Sequence, residues 1–335
     1  MSVEPQMARR TIPDRLDTRL GRWVKSWEAL LLLVFALIFV ANSLASPYFL
    51  DSWNLSDATF NFTEKGIIAL AMGFLIIAGE IDLSVAAIIA LASTAMGAAA
   101  QAGIGPAGLC AIGLLVGLMC GAFNGFLITR VGLPSIVATI GTMSLFRGIA
   151  YVVLGDGVYK GYPSGFAYFG QGYVWWVLSF EFVAFLLLAV GAYVLLHRTV
   201  FGRAIFAIGN NNFAARFSGI RVERVKFLLF LMTGVASGIA AIMLTSRLGS
   251  TRPSIAFGWE LEVVTIVVLG GVSILGGSGT IPGIVIAAFV MGVVTFGLGL
   301  LNVPGIVMSI FIGLMLIAVI ALPILVRRLL SRGTA

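Results

Sequence analysis

The sequence predicts an all-α integral membrane protein with about ten transmembrane helices and both termini in the cytoplasm. Three observations support this fold class. Hydrophobic residues make up 60% of the 335 residues and charged residues only 10%, whereas a soluble domain carries roughly 25% charged residues. The apolar residues form long runs, and the basic residues cluster between alternate runs. A surface of this composition needs lipid as its solvent.

The apolar runs set the number and position of the helices. A spanning helix needs about 20 mostly apolar residues, and lipid-embedded backbone must satisfy its own hydrogen bonds, which argues against strands. One run is short and another is rich in Ala, so both could be half-helices, and the expected count lies between eight and eleven. The ten candidate spans are 28–47, 64–80, 83–101, 106–129, 133–154, 173–196, 226–247, 261–276, 281–302 and 304–325.

The Lys and Arg residues determine the expected orientation. With a cytoplasmic N-terminus and ten crossings, 16 of the 21 basic residues fall in cytoplasmic segments, as the positive-inside rule requires. The net charge of +7 is therefore an orientation signal, and nucleic-acid binding has no support. The 16 are Arg9, Arg10, Arg15, Arg19, Arg22, Lys25, Arg130, Arg198, Arg203, Arg216, Arg221, Arg224, Lys226, Arg327, Arg328 and Arg332.

This topology divides the chain into three parts. Residues 1–27 form a basic cytoplasmic tail, 28–326 a polytopic transmembrane domain, and 327–335 a second basic cytoplasmic tail. The transmembrane domain contains one long polar cytoplasmic segment, residues 198–225, which we call the polar loop.

Motifs for enzyme chemistry are missing from the sequence. There is no G-x-x-x-x-G-K-[ST] phosphate loop, no H-E-x-x-H and no G-x-S-x-G. The single histidine, His197, lies at a predicted helix end and lacks the partners that a zinc site needs. The sequence therefore predicts no catalytic residue, no metal site and no cofactor on this chain.

Transport is the remaining activity, and it needs an energy source. Ion-coupled carriers usually place Asp, Glu or His inside the membrane, whereas most carboxylates here fall near predicted span ends. A partner that hydrolyses ATP is therefore favoured. The alternatives are an ion-coupled secondary carrier for a small polar solute, and a channel or scaffold component without vectorial transport. The carboxylates concerned are Glu64, Glu80, Asp82, Glu181, Glu260 and Glu262.

The polar loop is the expected docking place for such a partner. Asn210 can cap a short helix over 211–218, and Gly219 can end it in a left-handed conformation. Phe213 and Phe217 are four residues apart and share one face, with an arginine beside them. This pattern fits an interface hot spot. It fits equally an amphipathic helix that rests on lipid headgroups.

Three stretches resemble one family of transport proteins. They are "GRAIFAIGNNNFAARFSGI" in the polar loop, "GIIALAMGFLIIAGEIDLSVAAIIAL" at 66–91 and "GWELEVVTIVVLGGVSILGGSGTIPG" at 258–283. Together they resemble permease subunits of bacterial sugar ABC importers, the group that includes ribose, rhamnose and autoinducer-2 permeases. The resemblance runs from about residue 28 to 326 and is greatest for the rhamnose-type branch. The family usually has Gly at the position of Glu80.

The resemblance implies a set of partners. It implies a dimer of permease subunits in the bacterial inner membrane, either homomeric or with a sister chain. Two cytoplasmic ATPase subunits that bind ATP and Mg²⁺ and a periplasmic sugar-binding protein complete the importer. The expected ATPase contacts in the polar loop are Gly202, Arg203, Asn210, Asn212, Phe213, Arg216, Phe217 and Gly219.

Two further groups of residues are candidates for function. In "GEIDLSV", Asp82 or Ser84 can cap the next helix, or Glu80, Asp82 and Ser84 can lie on the substrate path, where carboxylates accept hydrogen bonds from sugar hydroxyls. Lys160, Arg247 and Arg252 are predicted to lie at the periplasmic face, where they can contact the binding protein or anchor to headgroups.

Overall fold

The computed structural model describes residues 26–315, 317 and 321, and these residues form a helical bundle. The predicted basic tails, 1–27 and 327–335, lie outside the described residues except for Ser26 and Trp27. The helices are α1 Trp27–Ala45, α2 Ser52–Phe60, α3 Thr63–Ile77, α4 Val85–Gln101, α5 Pro106–Phe126, α6 Ser135–Leu154, α7 Tyr168–Gln171, α8 Phe180–Arg198, α9 Val200–Asn210, α10 Asn212–Phe217, α11 Val222–Leu248, α12 Trp259–Leu269, α13 Ile281–Leu300 and α14 Gly305–Met315.

Two small antiparallel sheets interrupt the helical architecture. Strand β1, Tyr159–Lys160, pairs with β4, Ser250–Thr251, and β2, Tyr173–Trp175, pairs with β3, Leu178–Ser179. The predicted span 173–196 is therefore wrong at its start, because its first residues form a hairpin. Helix α8 begins only after Ser179, whose side chain accepts a hydrogen bond from the Phe182 N–H.

The described helices account for fewer spans than the ten predicted. Six are long and apolar enough to cross a membrane, and the pair α2 and α3, bent by 45°, makes a seventh. Helices α4 and α12 correspond to the predicted spans 83–101 and 261–276 but have only 17 and 11 residues. Span 304–325 lies partly outside the described residues. Ten crossings and the orientation of the termini thus stay predictions.

The burial of each helix follows its place in the bundle. Helix α3 is central, and every residue in it except Lys65 is buried. Helix α4, which is rich in small residues, is buried along most of its length. Helices α1, α6 and α8 lie at the periphery and expose many large apolar side chains, as expected where a protein meets lipid.

Glycines bring α5 and α11 into backbone contact. A Cβ atom added to Gly117 would lie 2.3 Å from the Gly234 carbonyl oxygen, and one added to Gly121 would lie 2.4 Å from that of Phe230. Small residues at matching positions allow such close approach between membrane helices. At its C-terminal end α5 continues into a π-helical turn, Leu127–Val131.

The connections between helices meet at two ends of the bundle. At one, which we call the basic end, residues 77–84, 198–226 and 270–281 contact one another, as in the hydrogen bond from Gly277 N to Ile77 O at 2.9 Å. At the other, the hairpin end, residues 46–63, 155–179 and 249–258 meet. This grouping agrees with the alternation of sides that the sequence predicts for these segments.

Candidate functional site

Two short helices form the polar loop. Thr199 caps α9 through a hydrogen bond from the Gly202 N–H, and Asn211 caps α10 by accepting from the Ala214 N–H at 3.0 Å. The predicted cap, Asn210, is wrong by one residue. Asn210 is the last residue of α9, and its side chain donates to the carbonyl oxygens of Phe206 and Gly277. Gly219 has φ +83°, which confirms the predicted left-handed end.

The predicted aromatic pair lies on the surface of the described chain. Phe213 is 79% exposed and Phe217 90% exposed, although both are large apolar side chains. Arg216 lies between them in sequence and forms an ion pair with Glu223 at the start of α11. Asn212 and Arg203 are exposed as well. These exposed residues of α9 and α10 form a candidate docking surface for another molecule.

Not every predicted contact residue faces outward. Gly202 is buried, and a Cβ atom at this position would lie 1.8 Å from the Leu196 carbonyl oxygen. This glycine therefore permits the sharp passage from α8 to α9, and its prediction as a direct partner contact does not fit its burial.

The glycine-rich turn, residues 270–280, packs against the polar loop. Gly209 fits between two backbone segments, because an added Cβ would lie 1.8 Å from the Ile77 carbonyl oxygen and 2.5 Å from the Gly277 nitrogen. Beside this contact, Leu275 is 91% exposed. This exposed leucine extends the candidate docking surface. It was not predicted from the sequence, because a run of glycines does not show which turn residues point outward.

Glu80 and Asp82 have different surroundings despite their proximity in sequence. Glu80 pairs with Lys226 of α11 and lines a cavity of about 340 Å³ at the basic end, together with Asn212 and Arg216. Among the described residues, no cation pairs with Asp82, which is fully buried. Its carboxylate accepts from the Ser84 N–H at 2.9 Å and from the Thr233 hydroxyl at 3.1 Å.

The polar cluster around Asp82 joins three helices. The Asn124 amide of α5 donates to the Ser84 hydroxyl at 2.8 Å, and Thr233 belongs to α11. The predicted side-chain cap of α4 is not formed: Ser84 is the N-cap residue and makes no side-chain cap hydrogen bond, and Asp82 accepts from the N–H of Ser84, which precedes the helix. Both residues are closed off from solvent in this conformation.

The three predicted periplasmic residues separate into two groups. Lys160 and Arg252 are exposed, and the pairing of β1 with β4 brings their backbone segments together. Arg247 instead donates to the buried Glu64 carboxylate at 2.9 Å from Nε. Glu181 is buried in the same cluster, and neither of its carboxylate oxygens has a hydrogen-bond partner among the described residues. Arg247 is thus engaged inside the bundle, a partnership that sequence spacing does not reveal.

Within residues 26–315, the structure brings no three His, Cys, Asp or Glu residues close enough to hold a metal ion. The arrangement is therefore one of surfaces and polar clusters. The basic end carries exposed apolar side chains that a second protein can cover, and the hairpin end carries exposed cations.

Known proteins are similar to this chain over most of its length. A family model described as branched-chain amino acid transport system / permease component matches residues 54–320. The chain is 36% identical over 291 residues to the ribose import permease protein RbsC of Bacillus subtilis (strain 168), covering 86% of this chain and 90% of RbsC. No solved structure matches it.

Permeases named for a different solute are similar to the same extent. The chain is 36% identical over 305 residues to the autoinducer 2 import system permease protein LsrD of Yersinia enterocolitica, covering 89% of this chain and 90% of LsrD. It is 37% identical over 301 residues to LsrD of Photorhabdus luminescens, covering 88% and 89%.

Proposed function

Since this chain belongs to the family described as branched-chain amino acid transport system / permease component, we propose that it is the membrane-spanning subunit of an ATP-driven sugar importer. In this proposal, a periplasmic binding protein delivers a monosaccharide, and separate ATPase subunits in the cytoplasm supply the energy. A second permease subunit, identical or related, completes the pathway in the bacterial inner membrane.

The candidate docking surface carries the mechanistic part of the proposal. Phe213, Phe217 and Leu275 are between 79% and 91% exposed, which is costly for apolar side chains outside the membrane. The polar loop that bears the phenylalanines is tied to the glycine-rich turn through Gly209 and Asn210. A displacement of this surface would therefore be transmitted to α8, α11, α12 and α13, because these helices adjoin the two segments. An ATPase subunit that covers the surface would both bury the aromatics and move the helices.

The substrate path includes the basic end in this proposal. Glu80 lines the cavity there and stands where a sugar would leave. Asp82 and Ser84 can contact a sugar only if α4 separates from α5 and α11, because their hydrogen bonds now close the cluster. The path therefore needs a conformational change, which ATP-driven closure of the partner subunits would provide.

The identity of the solute rests on the relatives and on short stretches of sequence. The relatives described above are named for ribose and autoinducer 2, and the family description names branched-chain amino acids. The resemblance of "SPYFLDSWNLSDATFNFTEKGIIAL" (46–70) and "GEIDLSVAA" (79–87) to the rhamnose-type branch favours rhamnose, and this assignment rests on these two stretches alone. The shared chemistry of the named sugars is a small, uncharged, hydroxyl-rich solute.

Uptake into vesicles tests the proposal. The complex purified through this chain from its native membrane is reconstituted with ATP on the ATPase side, with its periplasmic binding protein added outside. We expect uptake of D-ribose or L-rhamnose that requires both ATP and the binding protein. Uptake of L-leucine and of neither sugar would indicate instead that the chain is an amino-acid permease. Sugar uptake driven by an ion gradient without ATP would favour a secondary carrier instead.

A further inference from the structure

We propose that the sugar contacts an ion pair, Lys65 with Glu262, in a polar cavity beside the N-terminus of α12. This inference rests on the proposed function and adds a contact point for the substrate near the hairpin end of the bundle. Neither residue was singled out from the sequence as part of the path.

The cavity has the size and chemistry of a small-molecule site. Its volume is about 400 Å³, within the range of roughly 300–1,000 Å³ that is typical of ligand pockets. It lies between α3, α12, α13 and α14. Its lining combines apolar side chains and glycines with the polar residues Asn61, Lys65, Glu262, Thr295 and Ser309.

Lys65 is the one residue of α3 that is not fully buried. Every other residue of α3 is buried, whereas the Lys65 side chain keeps 15% exposure and points into the cavity with its partner, which keeps 19%. Charged side chains inside membrane-spanning segments are costly and usually mark a functional path. The pair is not sealed in the core but borders open space, where a solute can reach both charged groups.

The pair suits an uncharged polyhydroxylated solute. The lysine ammonium only donates hydrogen bonds and the glutamate carboxylate only accepts them. A sugar hydroxyl does both, so it can insert between the two groups without changing the net charge of the cavity. Because the two charges also satisfy each other when the sugar is absent, binding stays weak and release stays fast, as a transport path requires.

Trp259 positions the lysine. It lies one turn before Glu262 on α12, and the Lys65 ammonium nitrogen is 4.9 Å from the centre of its ring. A cation over an aromatic face is stabilised by the ring quadrupole. The ammonium therefore keeps a favourable contact when a hydroxyl displaces the carboxylate.

Two breaks in the helical segments lie close to this cavity. Asn61 lies in the 45° bend between α2 and α3. Helix α12 has only 11 residues and begins at Trp259, after an irregular segment. Transporters commonly form their solute sites at such discontinuous helices, where irregular backbone borders a cavity. Asn61 lines the cavity and Glu262 lies in the first turn of α12, so both breaks are close to it, which supports a solute path.

Three variants test the inference in the reconstituted complex. Lys65→Met and Glu262→Gln each remove one charged partner, and we expect uptake to fall roughly tenfold, the scale of one charge-assisted hydrogen bond. The exchange Lys65→Glu with Glu262→Lys keeps an ion pair but moves the ammonium from its place over the Trp259 ring, so the contact that holds it when a hydroxyl displaces the carboxylate is lost. We expect it to preserve assembly and binding-protein-stimulated ATP hydrolysis while uptake stays low. Recovery of wild-type uptake in the exchange would reduce the pair to a structural role and overturn the inference.

Ser309→Trp provides a test that does not alter the ion pair. Ser309 is exposed on α14 and lines the cavity, so a tryptophan can fill the space without disturbing the core. We expect assembly to persist and uptake of D-ribose or L-rhamnose to be lost. If the wild-type complex takes up sugar and this variant does so equally well, the cavity is not on the path, although the proposed function stands. If the wild-type complex takes up neither sugar, the proposed function fails and this inference fails with it.

Discussion

Asn210 donates a side-chain hydrogen bond to the carbonyl oxygen of Gly277 at 3.2 Å, across 67 residues of sequence. This bond joins the last residue of α9 to the glycine-rich turn before α13. The neighbouring Gly209 makes the contact possible, because the backbones approach too closely for any side chain. The polar loop and the turn therefore form one connected surface.

A side chain at Gly209 should separate that surface. In Gly209→Ala the new Cβ would overlap the Ile77 carbonyl oxygen, and overpacking of this kind costs about 1–3 kcal/mol. We expect the variant to insert into the membrane but to lose most ATP-dependent uptake. Gly191→Ala is the matched control, because no atom lies within 4 Å of its added Cβ. Equal uptake by the two variants would show that the contact is dispensable.

The exposed phenylalanines should hold the ATPase subunit. Truncating one interface hot spot costs about 2 kcal/mol, or roughly a thirtyfold loss of affinity. We expect Phe213→Ala with Phe217→Ala to release the ATPase from the detergent-solubilised complex while the permease still folds. Copurification on the tagged permease measures the loss. Phe257→Ala serves as the control, since Phe257 is 80% exposed at the opposite end. Normal copurification and uptake in the double variant would indicate instead that α10 rests on the lipid headgroups.

The orientation of the two ends can be read from cysteine labelling. In a background without Cys110 and Cys120, a cysteine at Lys160 should react with an impermeant thiol reagent added to intact cells. A cysteine at Arg203 should resist until the membrane is opened, because it lies in the polar loop at the basic end. Arg332 is predicted to behave like Arg203 and lies outside the described residues. Outside labelling of the Arg203 position would reverse the orientation.

Arg247 should act on stability. Removing it leaves Glu64, whose side chain is 1% exposed, without its cation, and breaking a buried pair in this way costs about 3–5 kcal/mol. We expect Arg247→Met to lower the thermal stability of the solubilised permease, and Glu64→Gln to restore part of the loss. The exposed Arg252 gives the comparison, since Arg252→Met should leave stability unchanged. Equal stability of the two arginine variants would argue against the buried pair.

Arg252 should act on docking of the binding protein. Charges at the rim of an interface affect mainly the association rate and its salt dependence. We expect Arg252→Glu to slow association of the binding protein at low salt, with assembly of the ATPase subunits intact. Stopped-flow or surface-based kinetics over a salt series provides the measurement. An association rate equal to that of the wild type at every salt concentration would leave Arg252 as a headgroup anchor.

Hydrophobic runs predict the helices of this protein well because every helix that spans lipid needs about 20 mostly apolar residues. Most helices match their predicted runs within a few residues, and Gly219 takes the predicted left-handed conformation. The cap was misplaced to Asn210 because three consecutive asparagines offer equal local chemistry. Only the packing of Asn210 on Gly277 decides among them.

Long-range partners account for what the sequence left undetermined. Arg247 and Glu64 are separated by 183 residues, and Lys65 and Glu262 by 197. No local pattern joins such residues, so Arg247 was grouped with surface cations and Lys65 was not considered. The hairpin Tyr173–Ser179 was predicted as part of a transmembrane span because its Tyr, Val and Trp residues are as apolar as those of a membrane-spanning helix.

The glycine contact between α5 and α11 restricts how the bundle can rearrange. No side chain stands between Gly117 and Gly234. The two helices therefore cannot slide past each other by changing the rotamer of a side chain at this contact. We therefore expect the two helices to move together as one rigid unit. Bending is then expected at the irregular ends of this unit, above all at the π-helical turn Leu127–Val131, where the backbone hydrogen bonds already depart from the α-helical pattern. That turn adjoins the cavity at the basic end through Ile128 and Thr129, so a small rotation of the two helices would change the width of this cavity.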